Sequence, residues 1–332
     1  MKRNALLDIL KGIGIILVVL GHCIQYGNGI NYMNNGYFFE NTLFKFIYSF
    51  HMPLFVLISG YLFYNTIKKH DSKDIFKSKI NRCVFPVFIW SIIGGLILFF
   101  QQKGEMDLLK FISDGFNNLY FLWTIFYCSI IVLLIYKFYN NKIIYYLIIL
   151  FFSLLINYRS IDFMLYLLPY FIIGFKFNEH KEKFKNFNNY RYLIIIFIIL
   201  VILYIFLFKY FSTNKYIYVN PYYILYSKNI IIINLYRFII GLIGSLIVII
   251  FVKQFRIIFE KLKIFEILGK NSMAIYIISC YLNTIFLMDN FTKNFNFNYI
   301  NVMVETIIIL ILSSIITYLI RKNKYTKKLI GE

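Results

Sequence analysis

The stretch LLDILKGIGIILVVLGHCIQY, residues 6–26, is long and apolar enough to cross a lipid bilayer as a helix. It nevertheless carries three ionisable side chains, those of Asp8, Lys11 and His22. At 100° per residue, Asp8 and Lys11 each lie within about 40° of His22 on one face of the helix. Ionisable groups inside a membrane span almost always face the protein interior or a water-filled cavity. We therefore expect this helix to form one wall of an internal site.

The composition of the whole chain indicates a membrane protein rather than a soluble one. Of its 332 residues, 60% are hydrophobic and 21% are aromatic, and the mean hydropathy is +0.70. Soluble domains are only about 45–50% apolar. The net charge of +20 resides mainly in short loops between apolar runs, which is typical of a topology signal and not of nucleic-acid binding. The fold class predicted is an all-α, polytopic integral membrane protein in contact with the lipid bilayer.

The apolar runs predict about ten transmembrane helices, since each needs about 20 mostly apolar residues. The polar stretches between them are too short to enclose a core, so residues 1–332 are predicted to form a single membrane-embedded domain. The predicted spans lie near residues 9–27, 43–64, 84–101, 119–136, 142–157, 162–177, 190–210, 229–252, 264–285 and 302–320.

The distribution of basic residues predicts the orientation of the chain. Lysine and arginine are dense in loops 68–82, 178–191 and 253–263 and in the segment 321–328, whereas residues 26–41 carry neither. Because basic loops stay on the cytoplasmic side, both termini are predicted to be cytoplasmic. We expect a multi-pass protein of the inner (plasma) membrane.

The second span, SFHMPLFVLISGYLF at residues 49–63, carries His51 two residues before Pro53. A proline in a span frees a backbone carbonyl, which is tolerated where the backbone lines a cavity. His51 is expected at a depth similar to that of His22, so the two histidines are predicted to meet. A neutral imidazole there could act as a general base. The alternative is that His51 is a hydrogen-bonded packing residue.

Two cations are candidates for binding an anionic ligand at the cytoplasmic side. Lys11 lies near the cytoplasmic end of the first span, and Arg82 lies four residues before Pro86 at the start of the third. Arginine at that point could clamp a phosphate. The alternatives are that Lys11 extends to the membrane surface, that Asp8 only ends the helix, and that Arg82 anchors its helix. The four cysteines form no C-x-x-C pair, so we expect free thiols and no metal site.

Five stretches together resemble the membrane acyltransferase-3 family, and most closely its fucose 4-O-acetylase-like branch. They are LDILKGIGIILVVLGH (7–22), FHMPLFVLISGYLF (50–63), Arg82 with Pro86, LYFLWTIFY (119–127) and LGKNSMAIY (268–276). The first two are the specific ones. The resemblance implies transfer of an acyl group, usually acetyl from acetyl-CoA, to a hydroxyl of a cell-surface glycan or its lipid-linked precursor. Acyl-CoA is then a donor substrate, and no cofactor is permanently bound.

The resemblance also assigns expected roles to individual residues. His22 matches the family's essential first-helix histidine, and Arg82 matches an arginine thought to contact the donor. The family often has a histidine in the ninth span, where this chain has Ser279 and Cys280.

The resemblance and the shared face of Asp8 and His22 on the first span together predict that His22, His51 and Asp8 form the catalytic group. Lys11 and Arg82 are predicted to bind the donor. Two alternatives stay open: an acyl-histidine intermediate, and a transporter or flippase for a lipid-linked sugar.

The orientation predicts the result of reporter fusions. Fusions after Gly36, Gly115 and Asn214 should report the outside, because the loops there are poor in lysine and arginine. Fusions placed in or after the basic segments, at Asp71, Glu182 and Glu332, should report the cytoplasm and serve as the opposite-sign controls. A reproducible reversal at any of the six would contradict the ten-span arrangement.

Overall fold

The computed structural model describes residues 4–26, 33, 35–101, 116, 119–156, 159–183, 190–211, 228–288 and 298–332. Within these ranges the chain is helical and contains no β-strand. The all-α prediction is therefore confirmed for the described part of the chain.

The α-helices of six or more residues in these ranges are numbered α1 to α13 in chain order. They are α1 (Ala5–Tyr26), α2 (Thr42–Ile67), α3 (Ser72–Lys79), α4 (Phe85–Gln101), α5 (Tyr120–Phe138), α6 (Ile143–Ser153), α7 (Arg159–Glu179), α8 (Tyr190–Phe208), α9 (Lys228–Gln254), α10 (Arg256–Lys261), α11 (Lys263–Lys270), α12 (Ser272–Met288) and α13 (Tyr299–Arg321). A π-helical turn, Ile80–Val84, joins α3 to α4, and short 3₁₀ helices occupy Tyr37–Glu40 and Thr326–Ile330.

Eight helical segments among the described residues are long and apolar enough to cross a membrane. They are Ala5–Tyr26, Thr42–Ile67, Ser72–Leu96, Tyr120–Phe138, Ile161–Glu179, Tyr190–Phe208, Asn229–Gln254 and Tyr299–Arg321. The chain is thus a multi-pass membrane protein.

The ten predicted spans include two that are shorter in the structure. The span predicted at 142–157 contains α6, whose 11 residues rise about 16 Å against a hydrocarbon core of about 30 Å. The span predicted at 264–285 is divided at Asn271 into α11 and α12. The count of ten and the cytoplasmic location of both termini remain predictions.

The chain groups into two compact units. The first comprises Met1–Ile58, Glu179–Val219 and Ile231–Ile316, and the second comprises Ser59–Asn178, Asn220–Ile230 and Thr317–Glu332. Each unit is described separately.

In the first unit, α1 packs directly against the short helix α11. The two backbones touch: a Cβ on Gly12 would lie 1.9 Å from the carbonyl oxygen of Phe265, and one on Gly269 would lie 1.7 Å from that of Asp8. Only glycine allows such an approach, because any side chain would overlap the partner's backbone. This contact fixes the end of α1 that carries Asp8 and Lys11.

In the second unit, α2 approaches α7 in the same way. A Cβ on Gly60 would lie 2.0 Å from the carbonyl oxygen of Phe171, and Asn178 donates from Nδ2 to the carbonyl oxygen of Tyr61 at 2.7 Å. The C-terminal 3₁₀ helix is held by the Trp90 indole, which donates to the carbonyl oxygen of Leu329 at 2.8 Å. Backbone carbonyls thus find side-chain donors at points where helices meet.

Replacing Gly12 by alanine should destabilise the protein, because the new methyl group would overlap the Phe265 carbonyl and force two backbones apart. We expect a loss of about 1–3 kcal/mol, measured as a lower thermal unfolding temperature of the purified protein in detergent. Gly14→Ala is the matched control, since its Cβ would meet the ring edge of Phe55 at 2.7 Å and a side chain can move. Equal losses for both variants would show that the backbone contact has no special weight.

Candidate functional site

The C-terminal end of α1 lies against the first turns of α2. A Cβ on Gly21 would lie 2.8 Å from the ring of Tyr48, and the Tyr48 hydroxyl donates to Oε1 of Gln25 at 3.3 Å. His22 and His51 are each three residues deeper than this hydrogen bond on their own helices. At 1.5 Å per residue, both therefore lie about 4.5 Å further into the span.

The two histidines are consequently brought to one place. Their imidazole rings lie within electrostatic range of each other. The rings of His22 and Tyr26 meet edge-on with their centres 6.1 Å apart, and those of His51 and Tyr48 meet edge-on with their centres 4.7 Å apart. The structure thus joins two of the residues selected from the sequence.

His51 has a defined hydrogen bond through its Nδ1 atom. Nδ1 lies 2.8 Å from the carbonyl oxygen of Ile47, four residues earlier on the same helix, and the side chain is buried. A carbonyl oxygen can only accept, so Nδ1 carries the hydrogen. In the neutral ring, Nε2 then has the free lone pair and is the atom able to take a proton.

His22 differs from His51 in its surroundings. Its Nδ1 is buried and has no hydrogen-bond partner among the residues that the structure describes. The residue as a whole is half-buried. No backbone carbonyl of the described chain therefore fixes the tautomer of His22 through Nδ1.

Asp8 and Lys11 form an ion pair at the opposite end of α1. The Lys11 Nζ lies 2.8 Å from Oδ1 of Asp8; the carboxylate is buried, whereas 21% of the Lys11 side chain is exposed. Asp8 precedes His22 by 14 residues, which is a rise of about 21 Å. Any part that Asp8 plays in a reaction is therefore played beside Lys11 and not beside the histidines.

Arg82 belongs to the second unit and is exposed on the π-helical turn between α3 and α4. Lys79, one turn earlier, lies within electrostatic range of it, and its Nζ sits 4.8 Å from the centre of the Phe63 ring. Neither cation has a carboxylate partner in the described part of the second unit. The exposed charge of Arg82 is thus available to an anion.

A polar group beside Cys23 was not predicted from the sequence. The buried Cys23 thiol donates to Oδ1 of Asn283 at 3.7 Å, and Thr306 and Glu305 also lie close to it. One signal was present, because Glu305 is a carboxylate within an apolar span. The proximity of Asn283, which lies 260 residues after Cys23, had no signal in the sequence.

Comparison with known proteins gives a family match over nearly the whole chain. The acyltransferase-3 family model, described as an acyltransferase domain, matches residues 4–322. Nodulation protein NolL of Sinorhizobium fredii is 31% identical over 192 residues, which are 56% of this chain and 51% of that protein. Nodulation protein NolL of Mesorhizobium japonicum is 27% identical over 183 residues, 53% of this chain and 48% of that protein.

The chain spans about half the length of the curated relatives it matches. No solved structure matches it. The fucose 4-O-acetylase-like branch remains a prediction.

The hydrogen bond of His51 predicts its tautomer. In protein labelled with ¹⁵N-histidine, the His51 ring should show a protonated Nδ1 and an Nε2 with a free lone pair, because the Ile47 carbonyl requires a donor. The chain has four histidines, so loss of one signal set in His51→Ala assigns the ring. His180→Ala should leave that signal set unchanged. A hydrogen on Nε2 alone would contradict the assignment.

Proposed function

Because the chain belongs to the acyltransferase-3 family, we propose that it is an O-acetyltransferase that uses acetyl-CoA as donor and a sugar hydroxyl as acceptor. The acceptor is a cell-surface glycan or its lipid-linked precursor, and the protein works in the inner (plasma) membrane. The observation that carries the proposal is the proximity of His22 to His51, whose Nδ1–H is held by the Ile47 carbonyl and whose Nε2 keeps a free lone pair.

The reaction requires removal of one proton and its return. As the acceptor oxygen attacks the thioester carbonyl, its O–H bond breaks and a histidine takes the proton; the C–S bond then breaks, and the CoA thiolate receives a proton. We assign the base to His22, whose Nδ1 is held by no hydrogen bond within the described chain, while His51 orients or relays. Direct transfer of this kind balances without a covalent intermediate, although an acetyl group on His22 would be an alternative route.

The donor is proposed to contact cations with its phosphates. The Lys11 ammonium has three hydrogens, of which Asp8 takes one, and it is partly exposed. Lys11 precedes His22 by 11 residues, about 16 Å along α1, so an extended donor could lie between them. Asp8 would then act as a positioning residue that holds Lys11. Arg82, exposed and without a carboxylate partner within the described chain, is a further candidate for phosphate.

Replacing His22 tests the proposal. His22→Ala should still insert and bind acetyl-CoA but transfer acetyl at least about 100-fold more slowly, the usual scale for losing positioned acid–base help. His22→Gln should do no better, because an amide cannot take the proton. His51→Ala should be as severe if the two histidines act as a unit and milder if His51 only orients. His180→Ala is the matched control, since that histidine is well exposed beside Glu179.

The measurement is mass spectrometry of surface glycans from cells with wild type, each variant or no copy of the gene. An acetyl increment that depends on wild type and disappears in His22→Ala is the expected result. An increment of equal abundance in every strain would contradict the proposal. A transporter would instead change the amount of glycan at the surface and add no acetyl group.

A further inference from the structure

The first unit holds a carboxylate that the proposed chemistry does not use. Glu305 lies on α13, within the apolar run NVMVETIIILIL at residues 301–312. It forms no hydrogen bond or ion pair with any residue in the described part of the chain. A carboxylate at membrane depth is costly, and such groups mark substrate or ion pathways. The residue is partly exposed.

A second polar group close to Cys23 is also unsatisfied. Asn283 on α12 is 1% exposed; its Oδ1 accepts the Cys23 thiol, whereas its buried Nδ2 has no partner among the described residues. A buried amide donor left without an acceptor costs free energy comparable to a lost hydrogen bond. This observation is independent of Glu305, since the two residues lie on different helices.

Both groups lie close to Cys23, the residue that follows His22 in α1. Cys23 contacts Asn283 and lies within electrostatic range of Glu305, and it directly follows His22 in α1. The depth agrees as well. Glu305 lies six residues, about 9 Å, after the start of α13 at Tyr299, and Asn41 donates to the Tyr299 hydroxyl immediately before α2 begins. The starts of α2 and α13 therefore lie at one level. His51 is nine residues, about 13.5 Å, after the start of α2, so Glu305 lies within about 4.5 Å of the depth of the histidines.

We propose that Glu305 and Asn283 form the acceptor subsite, which binds neighbouring hydroxyl groups of the sugar and holds one of them at His22. A carboxylate only accepts hydrogen bonds, and the Nδ2 of an amide only donates them. A hydroxyl group can do both. Of two neighbouring hydroxyls on one sugar ring, one can therefore donate to Glu305 while the other accepts from Asn283. The assignment rests on the proposed function and adds the residues that recognise the acceptor.

The ligand set favours a polyol over a metal ion. One carboxylate beside one neutral amide supplies too few oxygen ligands for Ca²⁺ or Mg²⁺. No group of three or more histidine, cysteine or acidic side chains in the described residues is arranged to hold a metal. In addition, the free atom of Asn283 is a donor, which would repel a cation.

The test measures donor and acceptor Michaelis constants separately. Full-length protein in lipid nanodiscs is assayed with radiolabelled acetyl-CoA and with surface glycan extracted from a strain lacking the gene. Glu305→Gln should raise the acceptor KM at least about tenfold, the effect of losing a hydrogen bond to a charged group, and change the donor KM less than about twofold. Asn283→Ala should act in the same direction, more weakly.

Two further variants control for structure. Glu305→Asp keeps the charge and should recover part of the acceptor affinity. Asp162→Asn is the matched control: Asp162 also has a buried carboxylate oxygen without a partner among the described residues, but it belongs to the second unit. This variant should leave the donor KM and the acceptor KM unchanged. If Glu305→Gln cannot be recovered as a folded protein, the donor KM and the acceptor KM are compared in Glu305→Asp and Asn283→Ala instead.

The outcomes separate this inference from the proposed function. If wild type transfers no acetyl group to the glycan, the proposed function fails and the subsite fails with it. If wild type is active but Glu305→Gln resembles Asp162→Asn, only the subsite is overturned. A donor KM that rises as much as the acceptor KM would also overturn it, because that result would indicate general damage to the site.

Discussion

The absence of water inside a bilayer is the constraint on which the rest of this structure depends. Every polar atom at membrane depth must find a partner in the protein, bind a ligand or face an internal water-filled cavity, because the lipid offers none. Many polar side chains obey this rule locally. Ser91, Thr124, Ser129 and Ser245 each donate to the carbonyl oxygen four residues earlier on their own helix. Against that background, His22, Asn283 and Glu305 are conspicuous as side chains with unused hydrogen-bonding capacity.

The same constraint explains why glycine determines the helix contacts. Two helices that meet through large side chains keep their backbones apart, whereas Gly12 and Gly269 let the backbones of α1 and α11 touch. The contact falls beside Asp8, so the buried carboxylate and its partner Lys11 are held on a rigid support. Rigid placement matters for any site at the far end of α1, because the helix transmits the position of one end to the other.

Much of the fold and part of the site were predictable from the sequence. The all-helical class and the multi-pass character follow from long apolar runs, and the shared level of His22 and His51 follows from their depth in adjacent spans. The sequence could not show that the apolar run at 264–285 is broken at Asn271, because hydropathy averages over a break in the helix. Nor could it show that Asp8 pairs with Lys11 rather than serving the histidines, since all three share one helix face.

Asn283 and Glu305 were harder to find for a different reason. They come from α12 and α13, far along the chain from Cys23, and nothing in local spacing links the three residues. Their joint significance arises only from packing. His51 is fixed by a backbone carbonyl, whereas His22 is not within the described chain. The unused amide hydrogens of Asn283 and the unused carboxylate of Glu305 both lie close to Cys23. The asymmetry favours a division of labour in which His51 is held still, His22 exchanges the proton, and the substrate oxygen is presented from the side of α12 and α13.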